Sequence, residues 1–145
     1  MRSMRLFSFL AVVLVSLFCV SARAAEVSLF DGKTLDGWKG KADLWSVKDG
    51  AIVGSTGPKG IRGNTFLVSE KSYANYILKL KFRFNGKGNS GIQFRSKQVG
   101  KPEDYVISGY QADIGNGFHG SLYDEKRRGM LHAAKNDWAK LFKRF

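Results

Sequence analysis

Between Gly88 and Leu131 three short runs, GNSGIQFRS, ISGYQADIG and GSLYDEKRRGML, place polar or charged side chains at every second position. A strand sends successive side chains to opposite sides of its sheet, so the spacing predicts strands and assigns their faces. Ile92 and Phe94 then turn toward a core and Gln93 and Arg95 away from it. The second run groups Tyr110, Ala112 and Ile114 against Gln111 and Asp113, and the third groups Ser121, Tyr123 and Glu125. If the runs share a sheet, one surface carries Gln93, Arg95, Gln111, Asp113, Tyr123 and Glu125. Amides, an arginine and two carboxylates are the groups that pair with hydroxyls, and a tyrosine supplies a flat partner for a sugar ring. The plainer alternative is a solvated sheet face. Lys79, Lys81 and Arg83 in the preceding segment have that ordinary composition, whereas Gln, Asp, Tyr and Arg separated by glycine do not.

The remaining segments read as an all-β protein. VSLF is followed by the turn-rich DGKTLDGWKG, and LWSVKDGAIVG predicts a hairpin about Asp49 and Gly50, a dipeptide suited to the tightest hairpin turns. GSTGPKGIRGN reads as a glycine-rich loop and TFLVS as a short strand. YILKLKFRF has the clearest alternation, with Tyr76, Leu78, Leu80, Phe82 and Phe84 against Ile77, Lys79, Lys81 and Arg83. NGKGN then turns the chain, so this strand and GNSGIQFRS are expected to be antiparallel neighbours. Short strands with glycine-rich turns point to an antiparallel β-sandwich or jelly roll. The end departs from this pattern: Asn136 to Phe145 read as a basic amphipathic helix.

The chain opens with Arg2 and Arg5, a fifteen-residue apolar run and SARAA. This is the organisation of a secretory signal peptide, with cleavage expected after Ala24. Residues 1–24 are therefore read as leader and 25–145 as one domain, secreted or periplasmic. The run is short for a membrane span of roughly 20 residues, so no stable membrane insertion is expected once the leader is removed. The single cysteine, Cys19, lies in the leader, which leaves the domain without disulfides.

The net charge of +12 invites a nucleic-acid reading. Arg2, Arg5 and Arg23 fall in the leader, however, and the other basic residues are scattered except for Lys126, Arg127 and Arg128. No helix-turn-helix, zinc-finger or RNP-like pattern accompanies them, so no nucleic-acid partner is expected.

Other motifs carry less. Gly86, Gly88 and Gly91 spell GxGxxG, but between two strands the helix that would hold a phosphate is missing. His119 and His132 have no metal-ligand spacing, so neither a metal nor a cofactor is expected. Ser121 lies in GSL, outside any nucleophile elbow.

Taken together, LFDGKTLDGWKG, WSVKDGAIVGSTG, NTFLV, GNSGIQFRS, GYQADIG and GSLYDEKRRGML resemble the 3-keto-disaccharide hydrolase family, in order and spacing, from about Val27 to Leu131. The resemblance implies a concanavalin A-like lectin/glucanase jelly roll and a carbohydrate-active domain acting on glycosides oxidised to a ketone at carbon 3. Family members continue past the GRGML-like motif with further strands, whereas NDWAKLFKRF follows here. The chain therefore reads as a sandwich incomplete at its C-terminus.

On that reading the protein is a hydrolase of 3-keto-disaccharides or related glycosides. A ketone at carbon 3 acidifies the hydrogen at carbon 2, and the chemistry needs a base, an acid for the leaving oxygen and donors for the enolate. Glu125 and Asp113 are the candidate base and acid, in either order. Arg95 and Gln93 are candidates for holding the ketone or enolate, and Gln111 and Tyr123 for the hydroxyls. The alternative is a non-catalytic, lectin-like carbohydrate-binding module presenting the same face.

Overall fold

The computed structural model describes residues 26–84, 88–115 and 117–134. The predicted leader, residues 1–24, and the predicted helix from Asn136 to Phe145 lie outside the described residues. Within them the secondary structure is antiparallel β apart from one 3₁₀ turn at Pro102–Asp104, and no helix is long and apolar enough to cross a membrane.

Three sheets form. Strands β1 (Trp38–Lys39) and β4 (Val68–Ser69) make one pair, and β2 (Trp45–Lys48) and β3 (Ala51–Gly54) a hairpin. The largest sheet has β5 (Asn89–Val99), β6 (Val106–Gly115), β7 (Leu122–Glu125) and β8 (Gly129–His132) in sequential order. The β2–β3 hairpin turns where expected. Asp49 and Gly50 both have positive φ, 52° and 72°, as a two-residue turn between twisted strands requires. Its far end is closed by Trp45, whose ring lies where a Cβ on Gly54 would stand, 2.7 Å from Cζ3.

Two expectations are corrected. Tyr76–Phe84 joins no ladder among the described residues, although its alternation is the clearest in the chain. Tyr76, Leu78, Leu80 and Phe82 are exposed, and Ile77 is 88% exposed. β5 pairs with β6 rather than with this segment. Alternation specifies the surface a strand would fit but supplies no partner, and β-propensity is realised only through cross-strand neighbours. The third run, moreover, is not one strand. It folds into β7 and β8 around Lys126 (φ 59°) and Gly129 (φ 76°), with KRR in the turn.

Burial is not confined to the apolar face. Along β6 the face of Ile107, Gly109, Gln111, Asp113 and Gly115 is buried throughout, and on the other Ile114 is buried, Tyr110 half-buried and Ala112 exposed. The polar face is thus covered as well. On the more open face Phe94 and Tyr110 stack with centroids 5.7 Å apart, under the guanidinium of Arg127 at 5.1 Å.

Candidate functional site

The ladder brings five of the six candidate residues to one face. Gln93 stands opposite Gln111, Gln111 opposite Tyr123, and Glu125 opposite Gly109. Side chains link them: Gln93 Nε2 donates to Gln111 Oε1 at 2.8 Å, and Gln111 Nε2 donates to Asp113 Oδ1 at 2.7 Å. Gln111, Asp113 and Glu125 are only 3%, 4% and 5% exposed. Gly91 makes the chain possible, because a Cβ there would lie 2.4 Å from Gln111 Cγ. Gln93 Oε1 is buried and accepts no hydrogen bond from the described residues. A buried acceptor of that kind calls for a donor, such as a ligand hydroxyl.

Arg95 is placed differently from simple alternation. A bulge between Phe94 and Lys97 sets Arg95 and Ser96 against Gly109 alone, and Arg95 takes φ 45°. Such a bulge re-aims the side chains it carries. Arg95 is exposed, donates to Asn75 Oδ1 at 3.4 Å, and is not hydrogen-bonded to the amide chain. It does share a row across the sheet with Gly109 and Glu125.

The ladder also separates the two carboxylates. Asp113 lies four residues along β6 from Gly109, the partner of Glu125, so their Cα atoms are about 14 Å apart at ~3.4 Å per residue.

Two contributors carry little sequence signal. Asn64, in the glycine-rich loop, donates from Nδ2 to Glu125 Oε2 at 3.2 Å. The loop is fixed there by Phe66 N donating to Tyr105 O and Thr65 Oγ1 donating to Asp104 O. The second is Asp124, on the opposite face from Glu125 and fully buried. It accepts from Arg127 Nε at 2.7 Å and Arg128 Nε at 2.6 Å, and Arg128 Nη2 donates onward to Tyr110 Oη at 2.9 Å. The spacing of Asp124 from two consecutive arginines in DEKRR was the available hint.

The family is decided by comparison of the whole sequence. A model of the 3-keto-alpha-glucoside-1,2-lyase-like domain matches residues 25–142. The chain belongs to this family. A 3-keto-disaccharide hydrolase of Bacteroides thetaiotaomicron is 31% identical over 81 residues, covering 50% of this chain and 28% of that protein. The chain thus spans well under half the length of the curated relative it matches. No solved structure is significantly similar to it.

In this member of the lyase-like family, Asp124 also sets an acid limit on stability. Burial works against its ionisation, but the hydrogen bonds from Arg128 and Arg127 prevail and hold its carboxyl below the ordinary 3.8. Its bond to Asp124, and then that to Tyr110, raise Arg128 above its usual value. With the native pKa below the unfolded one, the unfolded chain binds more protons in acid. The contribution of Asp124 is therefore present above pH 3.8 and lost as pH falls through its native value. Asp31, lowered by the backbone N–H groups of Thr34 and Lys33, acts in the same window. Asp124→Asn is expected to lower the denaturation midpoint at pH 6 and to flatten its decline below pH 4. An unchanged acid slope would remove Asp124 from this role.

Proposed function

We propose that the protein cleaves 3-keto-glycosides by elimination, with Glu125 as the base. The observation that carries this is the state of Glu125. It is buried, its side chain is held by the Asn64 amide, and it has no salt bridge among the described residues. The adjacent Asp124, by contrast, is neutralised by two guanidiniums. A buried carboxylate without a cation partner is available to accept a proton in a site from which water is largely excluded.

In the proposed reaction Glu125 removes the proton from carbon 2, and that electron pair enters the enolate of the carbon-3 ketone. Collapse of the enolate forms the carbon 1–carbon 2 double bond and expels the glycosidic oxygen, which takes a proton and leaves as an alcohol. Addition of water across the double bond, hydroxyl to carbon 1 and hydrogen to carbon 2, completes a net hydrolysis. Arg95, in the same row as Glu125, stabilises the enolate oxygen. Tyr123, two residues from Glu125 on the same face, is the nearer proton donor. Gln93, Gln111 and Asp113 then hold the hydroxyls of the oxidised ring. The family description and the Bacteroides relative support the substrate class.

Incubation with a 3-keto-disaccharide in D₂O tests the proposal: release of the second sugar with deuterium at carbon 2 of the first is expected. Release without deuterium would exclude proton abstraction there. Binding without any release would favour a lectin-like module. The leader read in residues 1–24 supports action outside the cytoplasm, which the N-terminal mass of the exported protein checks: cleavage after Ala24 is expected, and retention of the leader would refute it.

A further inference from the structure

A cavity of about 350 Å³ opens beside the glycine-rich loop, within the ~300–1,000 Å³ range of small-molecule sites. Lys41, Arg62, Asn64, Asp104, Leu44 and Val106 are among the residues lining it. Asn64 belongs to both places, since it lines the cavity and donates to Glu125. Asn64 is thus the link between the cavity and Glu125.

We infer that this cavity seats the leaving-group sugar of a disaccharide, a neutral polyhydroxylated ring, with the scissile bond brought to Glu125. The inference rests on the elimination reading for the identity of the bond. The lining chemistry selects the occupant. Lys41 Nζ and Asp104 Oδ1 pair at 3.5 Å, and Arg62 and Asp43 add one further charge of each sign. The balanced set favours a neutral ligand over an anionic one. Guanidinium, ammonium, carboxylate and amide groups match hydroxyls as donors and acceptors, while Leu44 and Val106 offer an apolar surface to a ring face. A sugar seated there would also compete for the Asn64 amide, loosening its hold on Glu125 as the substrate arrives.

Two exposed positions allow a test with little cost to the fold. Asp43→Trp fills the cavity mouth, and Arg62→Ala removes donors. Specificity is read as kcat/KM on a 3-keto-disaccharide relative to methyl 3-keto-glucoside, whose leaving group is too small to fill the cavity. Each variant is expected to lower this ratio about 10-fold, the loss of a hydrogen bond or two to the leaving sugar. An unchanged ratio, including an equal fall on both substrates, overturns the subsite and leaves the elimination reading intact. If wild type converts neither substrate, the elimination reading fails. Glucose titration followed by protein NMR then decides the cavity by itself: shifts at Asn64 and Thr65 that vanish in Asp43→Trp support it, and absence of binding by wild type overturns it.

Discussion

Glu125→Gln is expected to reduce turnover of a 3-keto-disaccharide by at least about 10²-fold, the usual contribution of a positioned general base. The substitution retains the shape of the side chain and an oxygen to accept from Asn64, so KM and the thermal midpoint should change little. Asp113→Asn is expected to act differently, raising KM more than it lowers kcat, because Asp113 terminates the amide chain about 14 Å from Glu125 along the ladder. Stopped assays on both variants, with substrate binding measured separately, distinguish the roles. Full turnover by Glu125→Gln with collapse in Asp113→Asn would transfer the base to Asp113.

Gly91→Ala should disable the site without removing a functional group. Its Cβ would stand 2.4 Å from Gln111 Cγ and 2.5 Å from Cδ, so Gln111 must swing away and break its bonds to Gln93 and Asp113. Misplacement of a positioning group by about 1 Å can cost 10²-fold in rate, and the overpacking itself is expected to cost about 1–3 kcal/mol of stability. Adding Gln111→Ala should relieve the clash and recover much of the stability while activity stays low. The double-mutant cycle reads that coupling directly. Full activity in Gly91→Ala alone would mean that the amide chain is dispensable.

The shared face of Gln93, Gln111, Asp113, Tyr123 and Glu125 was legible from sequence because a strand's side-chain period is two and leaves no other arrangement once the strands pair. Arg95 was not, because a bulge suspends that period and no residue type announces it. The depth of burial of the polar face was not legible for a different reason: polar residues are ordinarily the wet side of a sheet, and here hydrogen bonds among Gln93, Gln111 and Asp113 make burial tolerable. Tyr76–Phe84 shows the same limit in reverse, an ideal apolar alternation for which the described residues supply no ladder. Asn64 and Glu125 lie 61 positions apart, and only the anchoring of Thr65 and Phe66 against Asp104 and Tyr105 brings them together. The Asp49–Gly50 hairpin, by contrast, depends on two adjacent residues and followed from them.

The unpaired run of Tyr76–Phe84 divides the molecule in time as well as in space. Among the described residues its backbone amides have no ladder to shelter them and are expected to exchange sooner, whereas those of β6, bonded on both sides by β5 and β7, open only with the sheet. The residues that organise Glu125 and Gln111 are thereby assigned to the slowest-opening part of the fold.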